Sequence, residues 1–328
     1  MFGPLAHLVE HLLCKQGVAG SSPVGSTLRD LEHSKSLFIS KIGDKRIIKW
    51  GFQSGKQRYK CQRYHQVFIQ KKCSTRTIQR LFKRYLDKPP VPRVRENDNC
   101  HLMIDGTYSS DWCQLNYFDN DLKYLQYFDA VKCETYLDYR MGLTLLKETN
   151  LNIVSITCDG HKGLLNAISD VLPGVIVQRC VVHIVRMSII YLRQRPKYLA
   201  AIELKEIARK LSYINTHDEK KVWIKSFLDW EQKYYHFLQE KTKHISGRKR
   251  YAHRLIRRTR SLISHAIPNL FHYLDDPNIP KSNNGLECRF SYLKNKLRIH
   301  RGLSKKHVKS FLSWYSYFKY RDQITNYF

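Results

Sequence analysis

The chain has 328 residues and a formal net charge of +29. Its length allows one large domain or two to three small ones. The excess of Lys and Arg indicates a polyanionic partner, with nucleic acid as the first candidate. A membrane partner is disfavoured because no apolar run approaches the ~20 residues that span a bilayer. The nine scattered cysteines indicate reduced intracellular thiols rather than disulfides.

The first 35 residues differ in composition from the rest of the chain. The run from Gly17 to Thr27 is small, uncharged and turn-rich. A signal peptide is excluded because the preceding apolar stretch is short, contains acidic and His residues and lacks a basic start. The segment from His11 to Thr27 resembles the conceptual translation of a transfer-RNA gene. We therefore expect residues 1–35 to be a disordered leader.

Residues 41–95 hold seventeen Lys and Arg against two acids. This density supplies the counterion-releasing contacts that phosphate binding requires. Alternating apolar and polar residues around Ser54-Gly55 predict a β-hairpin between Arg46 and Cys61. The candidate DNA contacts on this hairpin are Lys49, Lys56, Arg58 and Lys60.

The spacing from Trp50 to Phe68 is similar to that of the N-terminal zinc ribbon of many insertion-sequence transposases. Tyr64 stands where the second cysteine of that ribbon belongs, and no cysteine pair precedes Trp50. Tetrahedral zinc takes four nitrogen or sulfur ligands. At most three are present here: Cys61, His65 and Cys73. We expect residues 36–73 to form a degenerate, zinc-free hairpin held by its aromatic residues.

A basic helix and a stiff linker take up residues 74–96. Ser74 and Thr75 are good N-cap residues, and apolar side chains from Ile78 to Tyr85 follow at helical spacing. The helix is either the second helix of a helix-turn-helix or a connector, with Arg76 and Arg80 as candidate DNA contacts. The prolines at positions 89, 90 and 92 end it and mark a domain boundary.

After the linker the patterns predict three strands, a helix, a strand, a helix and a strand. The predicted strands are His101–Tyr108, Trp112–Phe118, Leu122–Val131, Ile153–Cys158 and Val175–Val182, and the helices are Tyr136–Thr149 and Lys162–Leu172. This is the order of a ribonuclease-H-like α/β fold, a mixed sheet flanked by helices. Its first and fourth strands are neighbours, so we expect Asp105 and Asp159 to lie side by side.

Paired carboxylates predict a divalent metal site. They repel each other, and a hard cation such as Mg²⁺ relieves the repulsion. Two such ions about 4 Å apart can hold the attacking and leaving oxygens of a phosphoryl transfer. A third acid must close the site, and the candidates are Asp275, Asp276 and Glu287. Glu287 is favoured because it lies in the first turns of a predicted amphipathic helix.

Two helical regions complete the sequence. Residues 188–264 show no strand signal and predict an all-helical insertion. Its aromatics from Trp223 to Phe237 recur at helical spacing, and they either bury in a bundle or stack on flipped bases. From residue 288 to residue 321 there are ten Lys and Arg and no acid, which predicts phosphate contacts. The candidate DNA contacts in the second half of the chain are Lys162, Arg289, Lys294, Lys296, Arg298 and Arg301.

Four motifs then occur in a specific order: Asp105-Gly106-Thr107, Asp159-Gly160-His161-Lys162-Gly163, Cys180-x-x-His183 and Asn283-Asn284-Gly285-Leu286-Glu287. Over roughly residues 97–320 they resemble the DDE transposases of bacterial insertion sequences related to the Mutator-like group.

The resemblance implies a fold, an activity and partners. The catalytic domain would comprise residues 97–187 and 265–328, interrupted by the insertion at 188–264. Asp105, Asp159 and Glu287 would bind Mg²⁺, with Mn²⁺ as a substitute. The activity would be nicking at the ends of the element and attack of the freed 3′-OH on target DNA. The partners would be double-stranded DNA, as terminal inverted repeats and target, and further copies of the chain in a dimer or larger assembly. The location would be cytoplasmic, on the nucleoid.

Several alternatives stay open. Cys180 and His183 are either two ligands of a zinc site or structural residues, with His183 hydrogen-bonding near Asp159 and Cys180 buried. A second alternative, for the chain as a whole, is a transposase-derived DNA-binding protein that lacks catalysis. A third alternative is a ribonuclease-H-like nuclease or resolvase that cleaves without strand transfer.

Overall fold

The computed structural model describes residues 47–53, 56–61, 67–69, 75–90, 94–109, 112–243, 249–299 and 302–321. The chain divides into two compact units, one of residues 1–90 with 310–315 and one of residues 91–309 with 316–328. The predicted leader and three of the residues considered for the ribbon, Tyr64, His65 and Cys73, lie outside the described residues.

The first unit contains a small antiparallel sheet and one helix. Strands β1 (Ile47–Gln53), β2 (Lys56–Cys61) and β3 (Val67–Ile69) pair in the order β1-β2-β3. Helix α1 spans Thr75–Asp87. The indole of Trp314 donates a hydrogen bond to the carbonyl of Tyr85 (2.8 Å), and the two rings meet edge to face. This contact fixes the end of α1.

The second unit is built on a five-stranded sheet. Its strands are β4 (Asn97–Ser109), β5 (Trp112–Asp119), β6 (Tyr124–Val131), β7 (Leu151–Cys158) and β8 (Ile176–Arg179). The spatial order is β6-β5-β4-β7-β8, with β5 antiparallel to both neighbours and β7 parallel to β4 and β8. Helices α2 (Tyr136–Lys147) and α3 (Lys162–Val171) accompany it. The predicted mixed α/β class, with helices flanking a mixed sheet, is confirmed.

Two predicted strand boundaries are wrong. The side chain of Asp119 accepts the backbone N–H groups of Asp121 and Leu122, so a turn occupies the predicted start of the third strand. The last strand ends at Arg179 because a helix begins at Val181. The β-branched pair Val181-Val182 has a strand pattern, but tertiary packing places it in a helix.

Helices α2 and α3 pack on one face of the sheet. The fully buried core there includes Leu143 and Leu164 from the helices and Leu102, Ile104 and Ile156 from the two central strands. Each buried side chain of this kind contributes ~1.5–3 kcal/mol of hydrophobic stabilisation. The packing therefore fixes β4 and β7, the strands that carry the two aspartates.

Helices dominate the rest of the second unit. They are α4 (Val181–Leu192), α5 (Leu199–Lys210), α6 (His217–Lys233), α7 (Tyr235–Gln239), α8 (Arg254–Ala266) and α9 (Asn284–Ile299). Helix α10 (Lys305–Arg321) ends the described chain, and its residues 310–315 belong to the first unit. Within the described ranges, no helix combines the length and apolarity that crossing a membrane requires.

The expectation of an all-helical insertion is wrong in one detail. Two short antiparallel strands, β9 (Lys241–Lys243) and β10 (Lys249–Tyr251), pair between α7 and α8. These strands are largely exposed and rich in Lys and Arg, so they lack the apolar alternation that predicts a half-buried strand.

The aromatic residues of α6 form a core. Trp223, Phe227 and Trp230 are at most 4% exposed, and both indoles donate to backbone carbonyls of α5, those of Ile207 and Ala200. A buried indole with its N–H satisfied is a packing residue. The bundle interpretation therefore holds for these three rings, which do not face solvent for base stacking.

Candidate functional site

Strands β4 and β7 bring two acids to one edge of the sheet. They run parallel, and the ladder between them ends with Ile104 opposite Cys158. The next residue on each strand is an acid, Asp105 and Asp159. Asp105 is only 8% exposed, whereas Asp159 is half-buried. The carboxyl edge of parallel strands is where α/β proteins place their ligands.

The loop after Asp159 depends on a glycine. Gly160 has φ +85°, and a Cβ built there would lie 1.9 Å from the guanidinium carbon of Arg179. Only glycine satisfies both the backbone conformation and this close approach. Arg179 donates to the carbonyl of Asp159 (3.0 Å), and the Asp159 carboxylate accepts the N–H of His161 (2.8 Å). These contacts hold the second acid in place.

The third acid comes from the first turn of α9. Glu287 donates its N–H to the carbonyl of Asn283, and its carboxylate accepts two hydrogen bonds of 2.9 Å from Arg186. His183, one turn before Arg186 on α4, places Nε2 3.6 Å from a Glu287 oxygen. Asp105, His183 and Glu287 each offer a ligand atom within 4.8 Å of the other two. For His183 we expected a contact near Asp159; the contacts found are on the Glu287 and Asp105 side.

Asn283 connects the elements that carry these groups. It is fully buried; its side-chain amide donates to the carbonyl of Ile104 (3.1 Å), and its backbone N–H donates to the Cys180 sulfur (3.3 Å). One residue thus joins β4, the start of α4 and the start of α9. Cys180 is buried and serves as a hydrogen-bond acceptor in this arrangement.

The carboxylates experience opposite electrostatic surroundings. Burial, followed by the charges of Asp159, Glu287 and Glu134, raises the pKa of Asp105 to about 8. The two hydrogen bonds from Arg186 lower the pKa of Glu287 below its usual range. The pKa of Arg186 is raised by the same pair. Negative charge therefore accumulates around Asp105 and is balanced at Glu287.

The donor set fits a hard divalent cation. Carboxylate oxygens suit Mg²⁺, and the imidazole of His183 also suits Mn²⁺. The raised pKa of Asp105 is the physical sign that positive charge at this point would be favourable. Asp105, His183 and Glu287 are the residues whose ligand atoms lie close enough together to hold such an ion. Asp159 is not in that group; its charge acts on Asp105.

The other two candidate acids lie elsewhere. Asp275 is exposed and lies 3.5 Å from His217, while Asp276 contacts His101 (3.3 Å) and accepts hydrogen bonds from Asn278. Of the three acids considered for the third position, the structure brings only Glu287 to Asp105.

The candidate DNA-contacting residues differ in exposure. Arg80, Lys162 and Arg298 are exposed, and Lys294 is half-buried. Arg289 places its guanidinium 4.2 Å above the ring of Phe118, which ties it to β5. The side chains of Lys49, Lys56, Arg58, Lys60, Arg76 and Lys296, and all of Arg301, fall outside the part of the chain that the structure describes.

Sequence reasoning missed Arg186, Glu134 and the connecting role of Asn283. Arg186 had one available signal: it follows His183 by three residues, which places both on one face of a helix. Glu134 precedes α2 and accepts the hydroxyl of Tyr139 (2.6 Å). No sequence pattern connects it with Asp105.

Comparison with known families supports the same conclusion as the motifs. The family model described as "Transposase, Mutator family" matches residues 132–253, a range that includes Asp159, His183 and Arg186. No curated protein matches the chain. Over residues 132–253, which are 122 of the 328 positions, the chain is similar to the Mutator family of transposases.

Proposed function

We propose that the chain is a DDE-type DNA transposase built on a ribonuclease-H-like sheet. It would nick DNA at the ends of a mobile element and join the freed 3′-OH to target DNA, using Mg²⁺ or, in its place, Mn²⁺. One observation carries the proposal: Asp105 and Asp159 follow paired positions on adjacent parallel strands, and Glu287 lies within 4.8 Å of Asp105. The strand order and the antiparallel β5 support the ribonuclease-H-like assignment.

The three acids would be the metal ligands, with His183 beside Glu287. When bound, the metal would polarise the phosphodiester and lower the pKa of the attacking hydroxyl or water. The protein's own contribution is positioning. The β4–β7 ladder sets the spacing of the aspartates, Asn283 sets the start of α9, and exposed cations such as Lys162 would hold the DNA backbone.

The partners follow from this activity. The duplex ends of the element and the target DNA would bind the cationic surface, and handling two ends together would require a dimer or larger assembly. The catalytic domain would comprise residues 97–187 and 265–328, with residues 188–264 inserted. Such a protein would work on the nucleoid, in the cytoplasm.

The test uses DNA that flanks the coding sequence on both sides, cloned into a supercoiled plasmid. The full-length protein is incubated with it in Mg²⁺ or in EDTA, and nick positions are mapped by primer extension. We expect Mg²⁺-dependent nicks at fixed positions and joining of the new 3′ ends to a second plasmid. Asp275→Asn, which alters an exposed acid outside the cluster, is the control and should behave as the wild type.

The outcomes separate the alternatives. Binding to the flanking DNA without nicking in either Mg²⁺ or Mn²⁺ would identify a DNA-binding derivative that has lost catalysis. Nicking without joining would identify a nuclease or resolvase. Nicks scattered without reference to the flanking sequence would contradict an action at element ends.

A further inference from the structure

Arg186 forms an ion pair with Glu287 that the proposed reaction does not explain. Its two terminal nitrogens each lie 2.9 Å from a different oxygen of Glu287. Both oxygens of the third acid are therefore occupied by one guanidinium. To bind a metal ion, the Glu287 carboxylate would have to give up at least one of these two hydrogen bonds.

Stability alone gives little reason for this pair. The Arg186 side chain is 49% exposed and that of Glu287 is 28% exposed, and exposed ion pairs contribute up to ~1 kcal/mol. Arg186 also lies one helical turn from His183, so its charge is at the cluster rather than on a remote surface. Arg186 also lines a hollow together with Val182, Val185 and Ile189.

We propose that Arg186 binds two anions in turn: Glu287 in the metal-free protein, and the scissile phosphate once a divalent cation has taken Glu287. The inference rests on the proposed function. A dication at Glu287 repels the guanidinium and removes its partner. The released side chain then needs another anion, and a phosphodiester brought to the same cation is the nearest one.

The chemistry of arginine suits both roles. Its planar fork makes two parallel hydrogen bonds to a carboxylate or to two phosphate oxygens, whereas lysine offers a point charge. Arg186 would thus compete with the metal before DNA arrives and stabilise the charge on the phosphate afterwards. Loss of the guanidinium should tighten metal binding and slow cleavage, two effects of opposite sign.

The first measurement is Mn²⁺ binding to the full-length protein without DNA, followed by electron paramagnetic resonance. We expect Arg186→Gln to bind Mn²⁺ at least about threefold more tightly than the wild type, because the competing ion pair is gone. Arg186→Lys, which keeps the competing charge, should stay close to the wild type. Arg209→Gln is the matched control, since Arg209 is 46% exposed and pairs with Glu206 far from the acids in sequence.

The second measurement is the nicking rate at saturating Mn²⁺ on the plasmid with flanking DNA. Arg186→Gln and Arg186→Lys should both nick about 100-fold more slowly than the wild type, as expected for loss of a donor to developing charge. Arg209→Gln should not change. Circular dichroism checks that all variants are folded, and Arg186→Lys provides the test if Arg186→Gln is not.

Each result has a defined meaning. Unchanged or weaker Mn²⁺ binding by Arg186→Gln would overturn the competition, and undiminished nicking by both variants would overturn the phosphate contact. A wild-type protein that never nicks would overturn the phosphate contact together with the proposed function. In that case the Mn²⁺ titration still decides whether Arg186 and the metal compete for Glu287.

Discussion

The strand end, where the β4–β7 ladder stops just before Asp105 and Asp159, and the helix start, from Asn283 to Glu287, position their acids in different ways. At the strand end the spacing is set by the backbone ladder between β4 and β7. At the helix start it is set by side chains, through the hydrogen bonds of Asn283 and Arg186. Backbone pairing tolerates substitution of neighbouring side chains, whereas a side-chain contact is lost with one mutation.

The two regions also differ in charge. Burial, and after it the charges of neighbouring acids, raise the pKa of Asp105, whereas the hydrogen bonds from Arg186 lower the pKa of Glu287. The strand end is therefore fixed in geometry and unbalanced in charge, while the helix start is balanced in charge and dependent on few contacts. A divalent cation would neutralise the excess negative charge at the strand end and would compete with Arg186 for Glu287 at the helix start.

The largest expected effect comes from removing a ligand charge on either side. Asp105→Asn, Asp159→Asn and Glu287→Gln should each lower the Mg²⁺-dependent nicking rate at least about 1,000-fold, because each would remove a metal ligand. Their affinity for the flanking DNA, measured by fluorescence anisotropy, should stay within about threefold of the wild type. A Glu287→Gln protein that nicks at the wild-type rate would show that the helix start takes no part in the chemistry.

The next effect tests how the helix start is positioned. Asn283→Ala removes the hydrogen bond to Ile104 and leaves a buried carbonyl without it, a cost of ~1–3 kcal/mol. We expect Tm to fall, and nicking at a temperature where the variant is folded to slow by about 10-fold or more, because Glu287 is no longer held. Mn²⁺ affinity should fall too, an effect that simple destabilisation would not produce in the folded protein.

Asn278→Ala is the control for that experiment. Asn278 is exposed, and its backbone N–H and side-chain amide both donate to the Asp276 carboxylate. It should leave nicking and Mn²⁺ affinity unchanged. If Asn283→Ala loses stability but keeps both wild-type values, the residue is a structural contact without influence on Glu287.

The difference between the two regions also explains what the sequence could predict. The strand end was predictable because strand periodicity and element order determine which strands are neighbours, and Asp105 and Asp159 follow directly. Glu287 was selected from three acids by its place at the start of an amphipathic helix. In both cases a local pattern carries the information.

The side-chain contacts were not predictable in the same way. Asn283 contacts residues 103 and 179 positions away, Cys180 and Ile104, and no periodicity encodes a contact over that distance. The pair of Arg186 and Glu287 spans 101 positions. Val181 and Val182 show the converse problem, since their β-branched pattern predicts a strand and packing places them in a helix.

A smaller effect tests the charge imbalance of the strand end. The raised pKa of Asp105, about 8, means that the folded metal-free protein keeps a proton that the unfolded chain releases near pH 4. Because of Asp105, the free energy of unfolding should therefore fall as pH rises from about 4 to about 8. Asp105→Asn removes this dependence and should be more stable than the wild type by at least about 1 kcal/mol at pH 8.

Thermal unfolding in EDTA, followed by circular dichroism from pH 5 to pH 8, measures this difference. The gap between Asp105→Asn and the wild type should widen with pH, and Asp275→Asn should follow the wild type throughout. Adding Mg²⁺ should stabilise the wild type and close the gap, because the cation neutralises the carboxylates. A gap that is constant with pH would show that Asp105 is not buried among uncompensated acids.

The smallest effect concerns DNA binding by exposed cations that follow the two regions in sequence. Lys162 begins α3 three residues after Asp159, and Arg298 lies in α9 eleven residues after Glu287; both are exposed. If each contacts one phosphate, Lys162→Gln and Arg298→Gln should each lower the slope of log affinity against log salt by about 1. Arg209→Gln should leave it unchanged. A reduced slope for only one of the two would mean that only the cation of that region contacts the DNA backbone. The contrast between strand end and helix start would then extend from the acids to the DNA contacts.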